Sequence, residues 1–104
     1  MALRQLSVEE RAEARSKALA ARQERAALKA DFAAGQVSLA EVFSRADAED
    51  AIGRLRTVDL LQALPGVGEV RAREAMAGCG ISPRRRLRGL GRRQREALIA
   101  YIGR

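Results

Sequence analysis

Three clusters in the second half of the chain have the residue types and spacing to grip phosphate. The first is Leu64-Pro65-Gly66-Val67-Gly68-Glu69-Val70-Arg71-Ala72, which reads as a glycine hairpin between two helices. Gly66 and Gly68 allow positive φ and close backbone approach. The amides of Val67 to Val70 are expected at a helix N-terminus, where free N–H groups and the helix dipole attract an anion. Arg71 and Arg73 sit on the first turns, placed to close over a phosphate. A plain turn in a helical bundle is the competing account of the same residues.

The second cluster is Arg84-Arg85-Arg86-Leu87-Arg88-Gly89-Leu90-Gly91. Leu87 and Leu90 are expected to anchor this loop in the core, so that Arg85, Arg86 and Arg88 are held in fixed positions. Gly89 and Gly91 permit close approach. The third cluster, Gly53-Arg54-Leu55-Arg56-Thr57, carries a weaker signal. Arg54 and Arg56 are expected to reach the same backbone, and the Thr57 hydroxyl to cap a helix or meet a phosphate.

Charge follows the same division. The chain has 104 residues and a net charge of +7. Residues 1–53 carry a net of −1 and residues 54–104 a net of +8. Such asymmetry points to a polyanionic partner. Arg outnumbers Lys, whose only positions are Lys17 and Lys29. A planar guanidinium suits phosphate, although Arg-rich codon usage gives the same ratio. Other chemistry is poorly served. There is no His and only one Cys, Cys79, so the usual zinc ligand sets, the commonest general base and an intrachain disulfide are all excluded. No catalytic residue, metal, cofactor or small-molecule substrate is expected. The small acidic group Asp47, Glu49 and Asp50 reads as helix-end polarity. No stretch approaches the ~20 apolar residues of a membrane span. Met1-Ala2-Leu3-Arg4 lacks the apolar run of a signal peptide, so a cytoplasmic, nucleoid location is expected.

The elements that position these clusters read as all-α. Ser7-Val8-Glu9-Glu10 is a capping box that opens a helix running without a breaker to Gly35. Ser38-Leu39-Ala40-Glu41 opens a shorter second helix, ending between Asp47 and Gly53. Thr57 is expected to cap a third helix through Ala63. A fourth runs from about Glu69 to Gly78 and a last from about Arg92 to Tyr101. The division is a long N-terminal helix over residues 1–35 and a compact unit over 36–104. The expected core is Val58, Leu60, Leu61, Leu64, Val67, Val70, Met76, Ile81, Leu87, Leu90, Leu98, Ile99 and Ile102, with Cys79 small and at least half-buried.

The first helix has few large apolar residues, and only its Leu28/Phe32 end looks built to dock. Arg11, Arg15, Arg22, Arg25 and Lys29 fall within roughly 40° either side of one line at ~100° per residue. Glu9, Glu13, Glu24 and Asp31 lie on the opposite face. The basic stripe is a possible second nucleic-acid face. The competing account is a solvated helix steadied by pairs such as Glu13–Lys17.

The hairpin run, with Gly80-Ile81 and Arg85-Arg86-Leu87-Arg88-Gly89-Leu90-Gly91, resembles the integration host factors of actinobacteria. So do Met1-Ala2-Leu3 and Leu6-Ser7-Val8-Glu9-Glu10-Arg11-Ala12. The resemblance covers nearly the whole chain. It implies a helix-two-turns-helix domain behind a long N-terminal helix. It also implies a nucleoid-associated protein that binds and bends double-stranded DNA with little sequence preference and influences supercoiling, integration and transcription. Carried over to this sequence, the DNA contacts are Gly66, Gly68, Arg71, Arg85, Arg86 and Arg88. Arg54 and Arg56 stand where family members have Lys, which preserves a phosphate contact. Glu69 departs from the pattern, since relatives place Lys there; it either weakens that contact or favours helix capping.

Three other classes compete, of which a helical protein–protein adaptor would need a large exposed apolar face, and none is evident in the sequence. A helix-two-turns-helix RNA-binding protein of ribosomal type shares the glycine hairpin and basic end, but usually extends into a long basic tail, whereas this sequence ends at Arg104. DNA glycosylases use the same motif behind a catalytic domain with a Pro nucleophile; here only Pro65 and Pro83 occur, both internal. The expected partner is duplex DNA, bound by a protein that is monomeric off DNA.

Overall fold

Two serines start two helices by the same device. In the computed structural model, which describes residues 5–103, Ser7 Oγ accepts from the Glu10 N–H at 3.1 Å, and Glu10 Oε1 accepts from the Ser7 N–H at 3.2 Å. Ser38 and Glu41 repeat the pair at 3.1 and 3.3 Å. These boxes satisfy N–H groups that a helix start leaves unpaired. They open α1 (Val8–Ala33) and α2 (Leu39–Ala48). Gly35, at φ +76°, stops α1 in the left-handed region. The opening Met1-Ala2-Leu3-Arg4 and the final Arg104 lie outside the described residues.

The region between Asp47 and Gly53 resolves into the end of α2 and a single turn, α3 (Asp50–Gly53). Then come α4 (Thr57–Gln62), α5 (Glu69–Gly78), a 3₁₀ turn at Leu87–Gly89 and α6 (Arg92–Ile102). No strand occurs among the described residues. One isolated antiparallel bridge, between Arg56 and Arg86, ties the arginine loop to the α3–α4 connector.

The core draws on every helix. Leu28 and Phe32 bring the end of α1 into it, α2 contributes Leu39, Val42, Phe43 and Ala46, and α3 and its connector add Ile52 and Leu55. Those last six were absent from the core expected above. Leu60, Leu61, Met76, Leu87, Leu90 and Leu98 are buried as expected, while Val67, Ile99, Ile102 and Cys79 pack at its margin. Burial pushes the Cys79 thiol up, away from thiolate. Val70 corrects the expectation: it is 72% exposed. The inward line of α5 is Ala72, Ala75 and Met76. Val70 is roughly 200° round the helix from Ala72.

Thr57 is a second correction. It is the first residue of α4, not its cap, and Arg56 occupies the cap position without a side-chain bond. The Thr57 N–H donates to Arg85 O at 3.0 Å. The loop laid across it buries Thr57 completely and leaves Oγ1 without a hydrogen-bond partner.

Arg95 locks the loop from the far side. Its guanidinium grips both oxygens of Asp47 at 2.7 and 2.8 Å and donates to Leu90 O at 3.0 Å. It also lies over the Phe43 ring, 5.2 Å from the centroid. Hydrogen bonding to Arg95 holds the Asp47 carboxyl below its ordinary value, and Arg45 does the same for Glu49.

Two predictions follow from this packing. A Cβ at Gly53 would lie 2.6 Å from Ala46 O and 2.7 Å from Arg88 Nε. The carbonyl belongs to the backbone and must move, so Gly53→Ala should cost about 1–3 kcal/mol. Thermal unfolding should register this as a fall of several degrees in Tm. The lowered Asp47 and Glu49 values set the acid behaviour. Their stabilisation is present above the unfolded carboxyl pKa of about 4 and is lost as pH falls through the folded value. Stability should hold at neutral pH and fall below about pH 4, and Asp47→Asn should flatten that acid limb. An acid limb as steep as that of the parent protein would remove Asp47 from this account.

Candidate nucleic-acid interface

Residues far apart in sequence meet in one groove. It has a volume of about 620 Å3 and runs between α1 and the α3–α4 connector. Lys17, Arg22 and Arg25 line it from α1, Arg54 and Arg56 from the connector, and Arg86 from the arginine loop. Asp50 and Asp59 are the carboxylates among its lining residues. Six cations against two carboxylates leave the lining with an excess of four positive charges, and cations so gathered repel one another unless further anions sit among them. The arrangement therefore favours an extended polyanion over a single small ion.

Local structure explains why these side chains share one wall. Thr57 N–H donates to Arg85 O at 3.0 Å, and Leu87 N–H donates to Leu55 O at 2.9 Å. These two bonds set Arg56 beside Arg86. Leu55 and Leu87 go into the core while Arg56 and Arg86 stay exposed, the alternation that extended backbone imposes. Arg86 Nη1 also donates to Arg54 O at 3.0 Å, bracing the connector. On the opposite wall, Arg25 Nη1 donates to Ala51 O at 3.3 Å.

Lys17 was missed because the basic stripe was centred on charge. Helix α1 docks through Leu28 and Phe32, and Lys17 and Arg25 lie about 40° to either side of that line. Among the described residues, Lys17 is not ion-paired with Glu13. Lys29 lines an adjoining cleft with Asp59 and Gln62. Arg11 and Arg15 are exposed farther along α1 and do not line the groove.

The hairpin faces elsewhere. Arg71 lines a separate cleft with Leu61, Val67, Tyr101 and Ile102. Arg73 pairs with Glu69 at 2.8 Å, so the acid at the start of α5 compensates a neighbouring arginine. Glu69 is the first residue of that helix, and no side chain caps it. Gly66 has φ +78°, but Gly68 is extended at φ −90° and ψ −174°. Only Gly66 therefore uses the left-handed freedom expected of both. A Cβ at Gly68 would meet nothing within 4 Å, so the fold leaves its outer surface open to an approaching ligand.

The arginine loop is held as its leucines imply, yet its arginines differ. Arg86 reaches the groove. Arg85 is exposed and donates to Gly89 O at 3.4 Å. Arg88 turns toward the protein: Nη1 donates to Asp50 Oδ1 at 3.0 Å, and Nε and Nη2 donate to Ala46 O at 3.4 Å. Gly89 and Gly91 have ordinary φ. The Gly91 N–H donates to Gln94 Oε1 at 2.9 Å, starting α6.

Comparison with known proteins identifies the family and the fold. An S13-like H2TH domain model matches residues 32–102. The integration host factor of Mycobacterium tuberculosis is 48% identical over 103 residues, covering 99% of this chain and 98% of that protein. That of Streptomyces coelicolor is 47% identical over 103 residues, covering 99% and 96%. The chain belongs to the actinobacterial integration host factor family. A solved structure of sIHF bound to an 8bp palindromic DNA superposes with a TM-score of 0.78 at 45% identity, covering 82% of this chain and 96% of that one. The family's domain model takes in Arg54, Arg56, Arg86 and the hairpin, while Lys17, Arg22 and Arg25 precede it.

The hairpin glycines separate by substitution. Gly68→Ala fits its backbone, and the gain of about 0.4–1 kcal/mol from a less flexible unfolded chain is offset by the loss of glycine at the N-cap of α5, so Tm should change little. Gly66→Ala enters the left-handed region and should cost about 1–2 kcal/mol. Equal destabilisation by the two in thermal melts would contradict this geometry.

Proposed function

We propose that this chain is a nucleoid-associated architectural protein that binds and bends duplex DNA with little sequence specificity. The observation that carries the reading is the groove, in which six cations from three segments line one channel. The DNA-bound relative supports it. Arg56 and Arg86 engage the phosphate backbone, Arg54 lies beside them in the DNA-binding groove paired with Asp50, and Lys17, Arg22 and Arg25 close from α1. The Val67 N–H donates to Leu64 O at 3.1 Å and so shapes the hairpin, while Gly66 and Gly68 offer backbone amides and Arg71 a cation on the neighbouring face, and Arg73, Arg85, Arg88 and Gly89 support or extend these contacts. Through bending, the protein influences supercoiling, integration and transcription in the cytoplasmic nucleoid, and it is monomeric off DNA. Affinity comes from phosphate neutralisation, which is sequence-independent. Tyr101 is the only aromatic of the basic half and lies beside Arg71, which leaves the groove without a stacking platform for single strands.

Fluorescence anisotropy across a salt series tests this, using a ~30-base-pair mixed-sequence DNA duplex and the matching RNA duplex. If about five phosphates are neutralised, the log–log salt slope should be roughly −4 to −5. DNA should be preferred over RNA, and Arg86→Ala should weaken binding while helical content stays unchanged. Equal or tighter binding to RNA would favour the ribosomal-type reading instead.

A further inference from the structure

One arginine of the groove is already paired with an acid of the same groove. Asp50, the first residue of α3, presents its two oxygens to two different arginines. Oδ2 lies 3.1 Å from Arg54 Nε, and Oδ1 lies 3.0 Å from Arg88 Nη1. Arg88 cannot readily release its side of this arrangement. It also donates to Ala46 O and packs on the bare face of Gly53. Arg54 is less constrained: its side chain is 66% exposed, and Asp50 is its sole acidic partner among the described residues. Asp59 lines the same groove and makes no ion pair among the described residues.

We infer that Asp50 is an internal counter-anion that withholds Arg54 from phosphate and so sets the affinity of the groove. This rests on the DNA-binding reading above. A carboxylate and a phosphodiester offer a guanidinium the same charge-assisted hydrogen bonds. A phosphate that reaches Arg54 must displace Asp50 or share the arginine with it. Because Arg88 anchors the carboxylate, Asp50 stays within the groove when the phosphate arrives, and like charges are then brought together. The groove lines up six cations but binds as if it had fewer. That restraint suits a protein that must leave one stretch of duplex for another.

The test compares binding of the ~30-base-pair DNA duplex by wild type, Asp50→Asn, Asp59→Asn, Arg54→Ala and the Asp50→Asn/Arg54→Ala pair, at about 0.15 M salt. Asp50→Asn should bind about three- to tenfold tighter than wild type, and Asp59→Asn, which reports only the loss of a nearby negative charge, about twofold tighter at most. Asp50→Asn should also steepen the salt slope by about 0.9, the increment for one added phosphate contact. In the Arg54→Ala background the gain should shrink to the Asp59→Asn level. A gain no larger than that of Asp59→Asn, or one that survives loss of Arg54, overturns the inference. If Asp50→Asn does not fold, the single variants decide. Arg54→Ala should cost less affinity than Arg56→Ala, and the reverse order overturns the inference. Failure of wild type to bind duplex DNA is a different result, and rejects the DNA-binding reading itself.

Discussion

Two backbone hydrogen bonds govern where the basic residues of this protein go: Thr57 N–H to Arg85 O and Leu87 N–H to Leu55 O. They clip the arginine loop onto the α3–α4 connector as a minimal antiparallel bridge. Because side chains alternate along extended backbone, burying Leu55 and Leu87 forces Arg56 and Arg86 outward on the same side. The register is robust for that reason. A slip of one residue would put arginines into the core and leucines into water. The same bridge buries the Thr57 hydroxyl without a partner, a local cost accepted where the loop must lie flat.

A domain this basic must also hold itself together against its own charge. It does so by dividing the arginines between two tasks. Arg45, Arg88 and Arg95 are paired with Glu49, Asp50 and Asp47. All three acids come from one short stretch at the end of α2 and the start of α3. Of the acidic group that reads in sequence as helix-end polarity, Asp50 thus anchors the arginine loop and Asp47 anchors α6, while Glu49 pairs with Arg45 at the end of α2. Arg95, with a side chain only 19% exposed, acts through geometry as much as charge. It joins Asp47, the Phe43 ring and the loop carbonyls in one contact. Of the others, Arg54, Arg73 and Arg92 form exposed pairs with Asp50, Glu69 and Glu96, while Arg56, Arg85 and Arg86 are exposed with no acidic partner among the described residues.

How much of this was legible in sequence depends on the range of the signal. Local signals were read correctly: both Ser/Glu capping boxes, the glycine stop at Gly35, the limits of α5 and the leucine anchors of the arginine loop. Each is encoded within a few residues. The α2 core positions Leu39, Val42, Phe43 and Ala46 have helical spacing and are legible on the same basis. The rest is tertiary. Arg86 and Arg88 are two residues apart and chemically identical. Only the approach of Gly53 and Ala46 turns one inward and leaves the other in the groove. Lys17 lies among the acids of α1 and joins the cations solely because Leu28 and Phe32 fix the rotation of the helix. Val70 is apolar and exposed because the small Ala72 and Ala75 let α5 approach its neighbours along another line.

The way α1 is seated bears on how the groove works. A helix of 26 residues has just two buried residues, Leu28 and Phe32, both near its C-terminal end. Arg25 braces it once more against Ala51 O, and beyond that point toward Val8 no residue is buried. Helices gain most of their stability from packing, and segments with few buried contacts open at the lowest free energy. The α1 wall of the groove is therefore braced at Arg25 and has no buried contact at Lys17, its far end. The facing wall, clipped by the bridge and locked by Arg95, is rigid. In the DNA-binding mode proposed above, a bridged wall would hold phosphates in register and a less packed one would follow the local path of the backbone, accommodating duplexes of differing shape without reading their bases. On that proposal, low sequence preference would follow from the packing of α1 as much as from the chemistry of arginine.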